Sequence, residues 1–259
     1  MTYDTLDFKI PIESDDYEEC SDFVVRQCEE IVKKAIDENR NRILINTNLR
    51  LGLPMANINK VAGPFVEAWA YEIFFDALND GNNAYQLVNV QAQERLTMSD
   101  VILQFERNRK IGHGITAEVD VKATSIDIES SGKSPNITSF GRIRLAYIID
   151  PDYIFIILSL KHRVYSKRNA TTAMMDGVME VVRYNAYDLK YLDSKDINYN
   201  PALGTGQIQV RDIHYVSIVK RTTWEFCQLL DRKFLASSKK SLDDWLIMAN
   251  KGGWIKSDD

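Results

Sequence analysis

The sequence predicts an α/β protein in which helices flank a central mixed β-sheet. Two kinds of pattern support this class. Amphipathic helical periodicity recurs in four segments, which are residues 17–39, the stretch that follows Gly63-Pro64, and residues 223–234 and 241–250. Short apolar runs lie between them, and residues 153–158 have the composition of a buried strand. Alternation of helical and strand patterns is typical of α/β folds.

Shorter elements fill the remaining chain. Strands are predicted in residues 85–90, 101–105, 115–123, 208–210 and 214–219. The polar turn at residues 107–114 makes residues 101–105 and 115–123 a hairpin. Residues 137–149 read as a helix, and residues 174–190 as a strand pair or a strand with a helix. Loops are expected at residues 130–136 and 198–206, and an extended, exposed arm at residues 1–16.

Composition sets limits on function. A chain of 259 residues suits one domain, here residues 1–259. A net charge of -5 argues against a uniformly basic nucleic-acid binder, but it permits a local basic groove. The three cysteines form no CxxC pair, which indicates reduced thiols in a cytoplasmic protein. No apolar run reaches membrane-spanning length, so no membrane partner is expected.

The candidate chemistry centres on Asp120 and Lys122. Strand side chains alternate, so both emerge on one face of residues 115–123. Four other Asp-x-Lys occurrences lack a second acid on a paired strand, whereas Asp100 precedes the partner strand of this hairpin. Two carboxylates beside a lysine suit a Mg²⁺ site with an ammonium that positions water. Glu67, on the preceding helix, is either a further ligand or an exposed helix glutamate.

These residues also carry a family resemblance. Ser99-Asp100 followed by Asp120-Val121-Lys122 resembles the signature of the PD-(D/E)XK nuclease superfamily, with Ser99 in place of the usual proline. The flanks at residues 91–100, 120–124, 134–139 and 207–213 are similar to those of blunt-cutting type II restriction endonucleases. This similarity extends along nearly the whole chain.

The resemblance implies a restriction-endonuclease-like fold and a homodimer that encloses duplex DNA. It implies Mg²⁺-dependent hydrolysis of both strands at a short palindrome, with GTTAAC cut bluntly at its centre as the expected target and 5′-phosphates as products. Asp100 and Asp120 would bind metal, Lys122 would be the catalytic lysine, and Glu67 joins them as a candidate. A cognate DNA methyltransferase is implied, because such cutting would otherwise damage host DNA. Residues 17–39 are a candidate dimerisation helix.

DNA reading is assigned mainly to the loop at residues 198–207. Its glycines allow close backbone approach, and its short amide and hydroxyl groups suit base edges. A second candidate segment, residues 134–139, would touch phosphate or the minor groove, and Arg142 and Arg144, which follow it, would favour contact with the DNA backbone. The alternative for residues 198–207 is an ordinary surface loop. The predicted DNA-binding residues are Gln93, Asn136, Thr138, Ser139, Arg142, Asn200, Ala202, Gly204, Thr205, Gly206 and Gln207.

A basic stretch at residues 161–168 either lines the DNA groove or is a solvated face.

Two functional alternatives also stay open. One is a structure-selective repair or recombination nuclease on the same fold. The other is a non-catalytic DNA-binding protein in which Asp120 and Lys122 form a structural ion pair.

Overall fold

A computed structural model describes residues 2–52, 55–94, 97–106, 114–202 and 204–256, with the backbone alone for residues 55–59. Its α-helices are α1 (Tyr17–Asp37), α2 (Met55–Leu78), α3 (Phe140–Ile149), α4 (Thr223–Leu235) and α5 (Leu242–Gly252). Its strands are β1 (Arg42–Ile45), β2 (Leu87–Ala92), β3 (Val101–Phe105), β4 (Ile115–Ser125), β5 (Asn136–Ser139), β6 (Ile154–Arg168), β7 (Met175–Asp188), β8 (Ile197–Asn200) and β9 (Gln207–Val210). The predicted α/β class is confirmed.

The strands form two sheets. The larger has six strands in the order β1-β7-β6-β4-β3-β2, and the smaller has three in the order β5-β9-β8. The chain divides into two compact units, which we call the large-sheet unit (residues 20–132 and 156–187) and the small-sheet unit (residues 1–19, 133–155 and 188–259). The expectation of one domain stays a prediction.

Helices cover the large sheet within its unit. Helix α1 reaches β3 through Phe23, whose ring meets the Phe105 ring edge-on at 5.3 Å. Helix α2 packs against β2 and β4. Ala62 of α2 joins Val164 and Met179 in a buried apolar cluster. Burial of these helix faces holds α2 over the strand that carries Asp120.

The small-sheet unit is built around aromatic and ionic contacts. Phe140, at the start of α3, stacks on Phe234 of α4 with ring centroids 4.8 Å apart. The buried guanidinium of Arg144 pairs with Asp231, with 3.2 Å between Nε and Oδ1. A buried charge needs such a partner, because desolvation would otherwise cost several kcal/mol.

The sequence placed the start of α2 incorrectly. Pro64 was expected as the first helical residue, but the helix begins at Met55 and contains Pro64 in its interior. Proline removes one N–H from the helical ladder and leaves the carbonyl four residues earlier without its usual donor. Pro64 and Lys60 both lie on the exposed side, where water can satisfy that carbonyl.

Other boundaries also differ from expectation. Residues 137–149, expected as one helix, divide into β5 and α3. Residues 174–190 form the single strand β7 followed by a 3-10 turn at Leu189–Tyr191. Residues 214–219 form no regular strand; Ile218 makes an isolated bridge to Leu192. Strand pairing decides these boundaries in the folded chain, and periodicity alone does not separate strand from helix here.

The first 16 residues are not a wholly exposed arm. Phe8 forms a β-bridge with Ile255, and the Tyr3 ring meets Trp245 at 5.2 Å. This segment therefore belongs to the packing of the small-sheet unit. Within the described part of the chain, no helix combines the length and apolar character that crossing a bilayer requires.

Candidate active site

The hairpin of β3 and β4 brings the two predicted aspartates together. Val101 pairs with Val119 in an antiparallel register, and continuing that register by one residue places Asp100 opposite Asp120. The Asp100 N–H donates to the Val119 carbonyl at 3.0 Å, and the Val121 N–H donates to Asp100 Oδ2 at 2.7 Å. The expected pairing is confirmed, although the turn at residues 107–113 lies outside the described residues.

Asp120 and Lys122 lie on the same face of β4, as strand alternation predicts. Lys122 Nζ donates to Asp120 Oδ1 at 2.7 Å. The Asp120 side chain is 5% exposed and that of Lys122 is 24% exposed. Asp120 Oδ2 is buried and has no hydrogen-bond partner among the described residues. One carboxylate oxygen is thus held by lysine, while the other lacks the partner that buried oxygens usually have.

Electrostatic coupling extends over four side chains. Burial raises the pKa of Asp120 to about 7, with Lys122 opposing the rise and Asp100 and Glu67 adding to it. Burial works to lower the pKa of Lys122, but the carboxylates, Asp120 first, raise it above the usual lysine value. Partial burial and the Asp100 charge raise the pKa of Glu67, against an opposing effect of Lys122. Three acids share one cation, so the site favours additional positive charge.

The donor set fits one divalent cation held by two carboxylates. Asp120 Oδ2 is unpaired, and Asp100 lies opposite it in the hairpin. Among the residues that the structure describes, no group of three or more His, Cys, Asp and Glu side chains converges as a metal cage. Mg²⁺ does not need such a cage, because it keeps several waters and commonly uses one or two carboxylates with substrate phosphate. The charge of Glu67 helps to raise the pKa of Asp120, and a role for Glu67 as a metal ligand stays a prediction.

A second hydrogen-bond network supports Asp100, and sequence reasoning missed it. Ser99 is buried, and its hydroxyl donates to Glu118 Oε2 at 2.9 Å. The Thr97 hydroxyl donates to the Ser99 carbonyl at 2.8 Å. Glu118 stands two residues before Asp120, so strand alternation could have identified it as a neighbour on the same face.

Gln93 differs from the other predicted DNA-binding residues in its location. It follows β2 in the large-sheet unit, and its N–H donates to the Asp100 carbonyl at 2.9 Å. This main-chain contact places Gln93 beside the aspartate pair. The ten other predicted DNA-binding residues all belong to the small-sheet unit.

In the small sheet, β9 lies between the two predicted reading segments. Asn200 pairs with Gln207 across β8 and β9, and Ser139 pairs with Gln207 across β5 and β9. The Asn200 carboxamide oxygen accepts from the Ala202 N–H at 3.1 Å. This local bond shapes the turn that precedes Gly204, as asparagine often does in turns.

The predicted DNA-binding residues of the small-sheet unit differ in their exposure to solvent. Asn136, Arg142, Ala202 and Gly204 are exposed, and Asn136 Oδ1 also accepts from Gln209 Nε2 at 2.9 Å. Those with partial exposure are Ser139, Asn200, Thr205 and Gln207. Thr138 and Gly206 are buried. The DNA contacts of all these residues stay predictions, and residue 203 of the loop lies outside the described residues.

The basic stretch on β6 is partly engaged within the protein. Arg163 Nε donates to Glu180 Oε2 at 2.6 Å, and Arg42 Nε donates to Glu180 Oε1 at 3.0 Å. Glu180 therefore joins β6, β7 and β1. This ion pairing favours a structural role for Arg163 over a purely solvated one.

Comparison with known proteins identifies the family of this chain. The family described as "Type II restriction endonuclease HpaI" matches residues 4–253. "Type II restriction enzyme HpaI" of Haemophilus parainfluenzae is 55% identical over 256 residues, which cover 99% of this chain and 100% of that protein. A solved structure of "NlaIV restriction endonuclease" aligns with 87% of each chain at 15% identity and a TM-score of 0.44.

These findings define the class of protein first. The chain is a type II restriction endonuclease, an enzyme that cuts DNA at a specific sequence. It belongs to the HpaI family of these enzymes, because the match and the identity extend over almost its full length.

Proposed function

We propose that this enzyme hydrolyses both strands of duplex DNA at the palindrome GTTAAC, in a Mg²⁺-dependent reaction that leaves blunt ends with 5′-phosphates. The single observation that carries the proposal is the pair of opposed aspartates beside Lys122, with Asp120 Oδ2 buried and unpaired. Identity of 55% to HpaI supports the choice of palindrome.

Asp100 and Asp120 would hold the cation. When bound, Mg²⁺ supplies Lewis-acid polarisation of a phosphoryl oxygen and makes water more acidic. The hydrogen bond from Val121 to Asp100 and that from Lys122 to Asp120 orient the two carboxylates before the cation arrives. Such preorganisation avoids reorientation during the reaction.

Lys122 has two roles in this proposal. Its raised pKa keeps the side chain as an ammonium at neutral pH. The ammonium can orient an attacking water and stabilise the negative charge that grows on the phosphate. The water oxygen forms a bond to phosphorus and releases a proton to solvent, while the bond from phosphorus to the 3′-oxygen breaks and that oxygen takes up a proton. The products are a 5′-phosphate and a 3′-hydroxyl.

The remaining elements of the proposal follow from the palindrome. A homodimer matches the twofold symmetry of such a site, with one active centre for each strand. The predicted reading segments around β9 would contact bases, and a cognate methyltransferase would protect host DNA without binding this chain. We place the enzyme in the cytoplasm, where that DNA lies.

Sequencing of the cleaved ends tests the proposal. A plasmid of known sequence is digested with the purified chain and Mg²⁺, and every end is mapped. We expect all cuts at the centre of GTTAAC, with no overhang and with ends that ligate without added kinase. Cuts at another discrete sequence would reject the proposed target, and cuts that follow branched structures would support a repair nuclease instead.

A further inference from the structure

Hydrogen bonds join the turn between β8 and β9 to the junction of β5 and α3. The hydroxyls of Thr205 and Ser139 are hydrogen-bonded at 2.7 Å, and the Gly141 N–H donates to Thr205 Oγ1 at 3.3 Å. The Phe140 N–H donates to the Gly206 carbonyl at 3.0 Å. Thr205 therefore directs its hydroxyl towards the protein and joins two segments that are 64 residues apart.

The other side of the turn is held by a packed tyrosine. Tyr199 donates its hydroxyl hydrogen to the Thr205 carbonyl at 2.9 Å. The Tyr199 ring meets Phe140 at 5.8 Å and Phe234 at 5.2 Å, and both phenylalanines are fully buried. A packed ring has little rotamer freedom, so the hydroxyl is held in place.

Gly206 shows how closely the turn approaches this tyrosine. Its φ is +85°, and a Cβ at this position would lie 2.1 Å from the Tyr199 hydroxyl oxygen. Only glycine permits that approach and that backbone conformation. Gly204 and Ala202, in contrast, are exposed, and a Cβ on Gly204 would meet nothing within 4 Å.

We infer that Thr205 and Tyr199 are positioning residues for sequence specificity, and that Thr205 is not a base contact. We call Ser139, Tyr199, Thr205 and the main chain of residues 140, 141 and 206 the turn clamp. The turn clamp holds the described residues of the two predicted reading segments, 136–142 on one side and 200–202 with 204–207 on the other, as one rigid surface. This inference rests on the proposed function, because it assumes that these segments read the palindrome.

The inference makes a prediction that separates positioning from direct contact. A residue that touches one base controls discrimination at one position of each half-site. A residue that positions both segments controls discrimination at several positions at once, because Asn136, Asn200 and Gln207 would all shift. The pattern of lost specificity therefore distinguishes the two roles.

The experiment measures kcat/KM on duplexes that carry GTTAAC or a symmetric substitution at each of the three half-site positions. For Thr205→Val, we expect discrimination to fall roughly tenfold at two or more positions, since each lost hydrogen bond contributes about that factor. Thr205→Ser keeps the hydroxyl and should stay within about threefold of the unmodified chain. Tyr199→Phe should resemble Thr205→Val.

Thr5→Val is the matched control. The Thr5 hydroxyl donates to the Thr2 carbonyl at 2.9 Å, outside both reading segments, so discrimination should be unchanged. Thermal melting of each variant checks folding. If Thr205→Val does not fold, Thr205→Ser and Tyr199→Phe provide the comparison.

Two results would overturn the inference and leave the proposed function intact. One is a loss of discrimination confined to one base-pair position. The other is unchanged discrimination in both Thr205→Val and Tyr199→Phe. If the unmodified chain cuts at a different discrete sequence, the same substitutions are applied to that sequence. Failure of the unmodified chain to cut at any discrete sequence would reject both the proposed function and the inference.

Discussion

At the scale of single residues, the two carboxylate oxygens of Asp120 differ in their hydrogen bonding. Oδ1 accepts from Lys122, whereas Oδ2 is buried without a partner among the described residues. Strand alternation was sufficient to predict that Asp120 and Lys122 share a face. It could not predict the unpaired oxygen, because that depends on the tertiary packing around β4.

Substitution of Ser99 tests whether its hydrogen bond to Glu118 helps to position Asp100. Ser99→Ala removes the hydrogen bond to Glu118 and should lower kcat roughly three- to tenfold, as loss of one such bond typically does. KM for DNA should not change, because Ser99 is buried. Steady-state kinetics on a single-site duplex separates the two parameters.

Glu118→Gln is the matched variant for this test. Its amide oxygen can still accept from the Ser99 hydroxyl, so the variant should keep a kcat close to that of the unmodified chain. Native kcat in Ser99→Ala would contradict the positioning role, and so would an equal loss in both variants.

At the scale of elements, the sequence predicted the hairpin of β3 and β4 well and some other boundaries poorly. Residues 101–105 were predicted with the observed bounds, since four of their five side chains are apolar and polar segments flank them. The start of α2 was predicted incorrectly because proline is common at the first position of a helix. Its tolerance in the helix interior depends on solvent exposure, which is a property of the tertiary structure. The division of residues 137–149 likewise depends on β5 pairing with β9.

Glu180 links three strands of the large sheet and provides a pH-dependent prediction. Burial works to raise its pKa, but the hydrogen bonds and charges of Arg163 and Arg42 lower it below the usual value. A lowered pKa in the folded state stabilises the fold above the unfolded-state pKa, and this contribution is lost as the pH falls through the folded-state pKa. Glu180→Gln should reduce the free energy of unfolding by about 1–2 kcal/mol at neutral pH.

Denaturant unfolding at neutral and acidic pH measures this difference. The difference between Glu180→Gln and the unmodified chain should shrink as the carboxylate becomes protonated. Glu72→Gln, on the exposed side of α2, is the control and should have no effect beyond about 0.5 kcal/mol. A difference that is independent of pH would contradict the ionic role of Glu180.

At the scale of the whole molecule, the proposed catalytic residues and ten of the eleven predicted DNA-binding residues fall in different units of the chain, whereas Gln93 lies in the large-sheet unit. The aspartate pair and Lys122 belong to the large-sheet unit, and the turn clamp belongs to the small-sheet unit. Both sets of residues were predicted from the sequence. The structure was needed to show which residues of the predicted reading loop face the protein and which face solvent. Nothing in the residue types indicated that Thr205 faces inward while Ala202 and Gly204 face outward.

The proposed homodimer has a direct consequence for strand cutting. The enzyme should sediment at about twice the 29.7 kDa of the chain at concentrations where it cuts both strands. A mixed dimer with one unmodified and one Lys122→Ala subunit should nick one strand, because each subunit would act on the strand nearest to it. A monomer that cuts both strands in one binding event would contradict this arrangement.

The most direct test of the central claim is single-turnover cleavage of one GTTAAC duplex by Lys122→Ala. We expect a loss of about 10²-fold or more in the cleavage rate, since an ammonium that stabilises the transition state is removed. Affinity for the duplex, measured with Ca²⁺ in place of Mg²⁺, should change less than about tenfold. Lys251→Ala, an exposed lysine in the last turn of α5, should cut at the native rate. Cleavage by Lys122→Ala within about threefold of the native rate would contradict the assignment of this site.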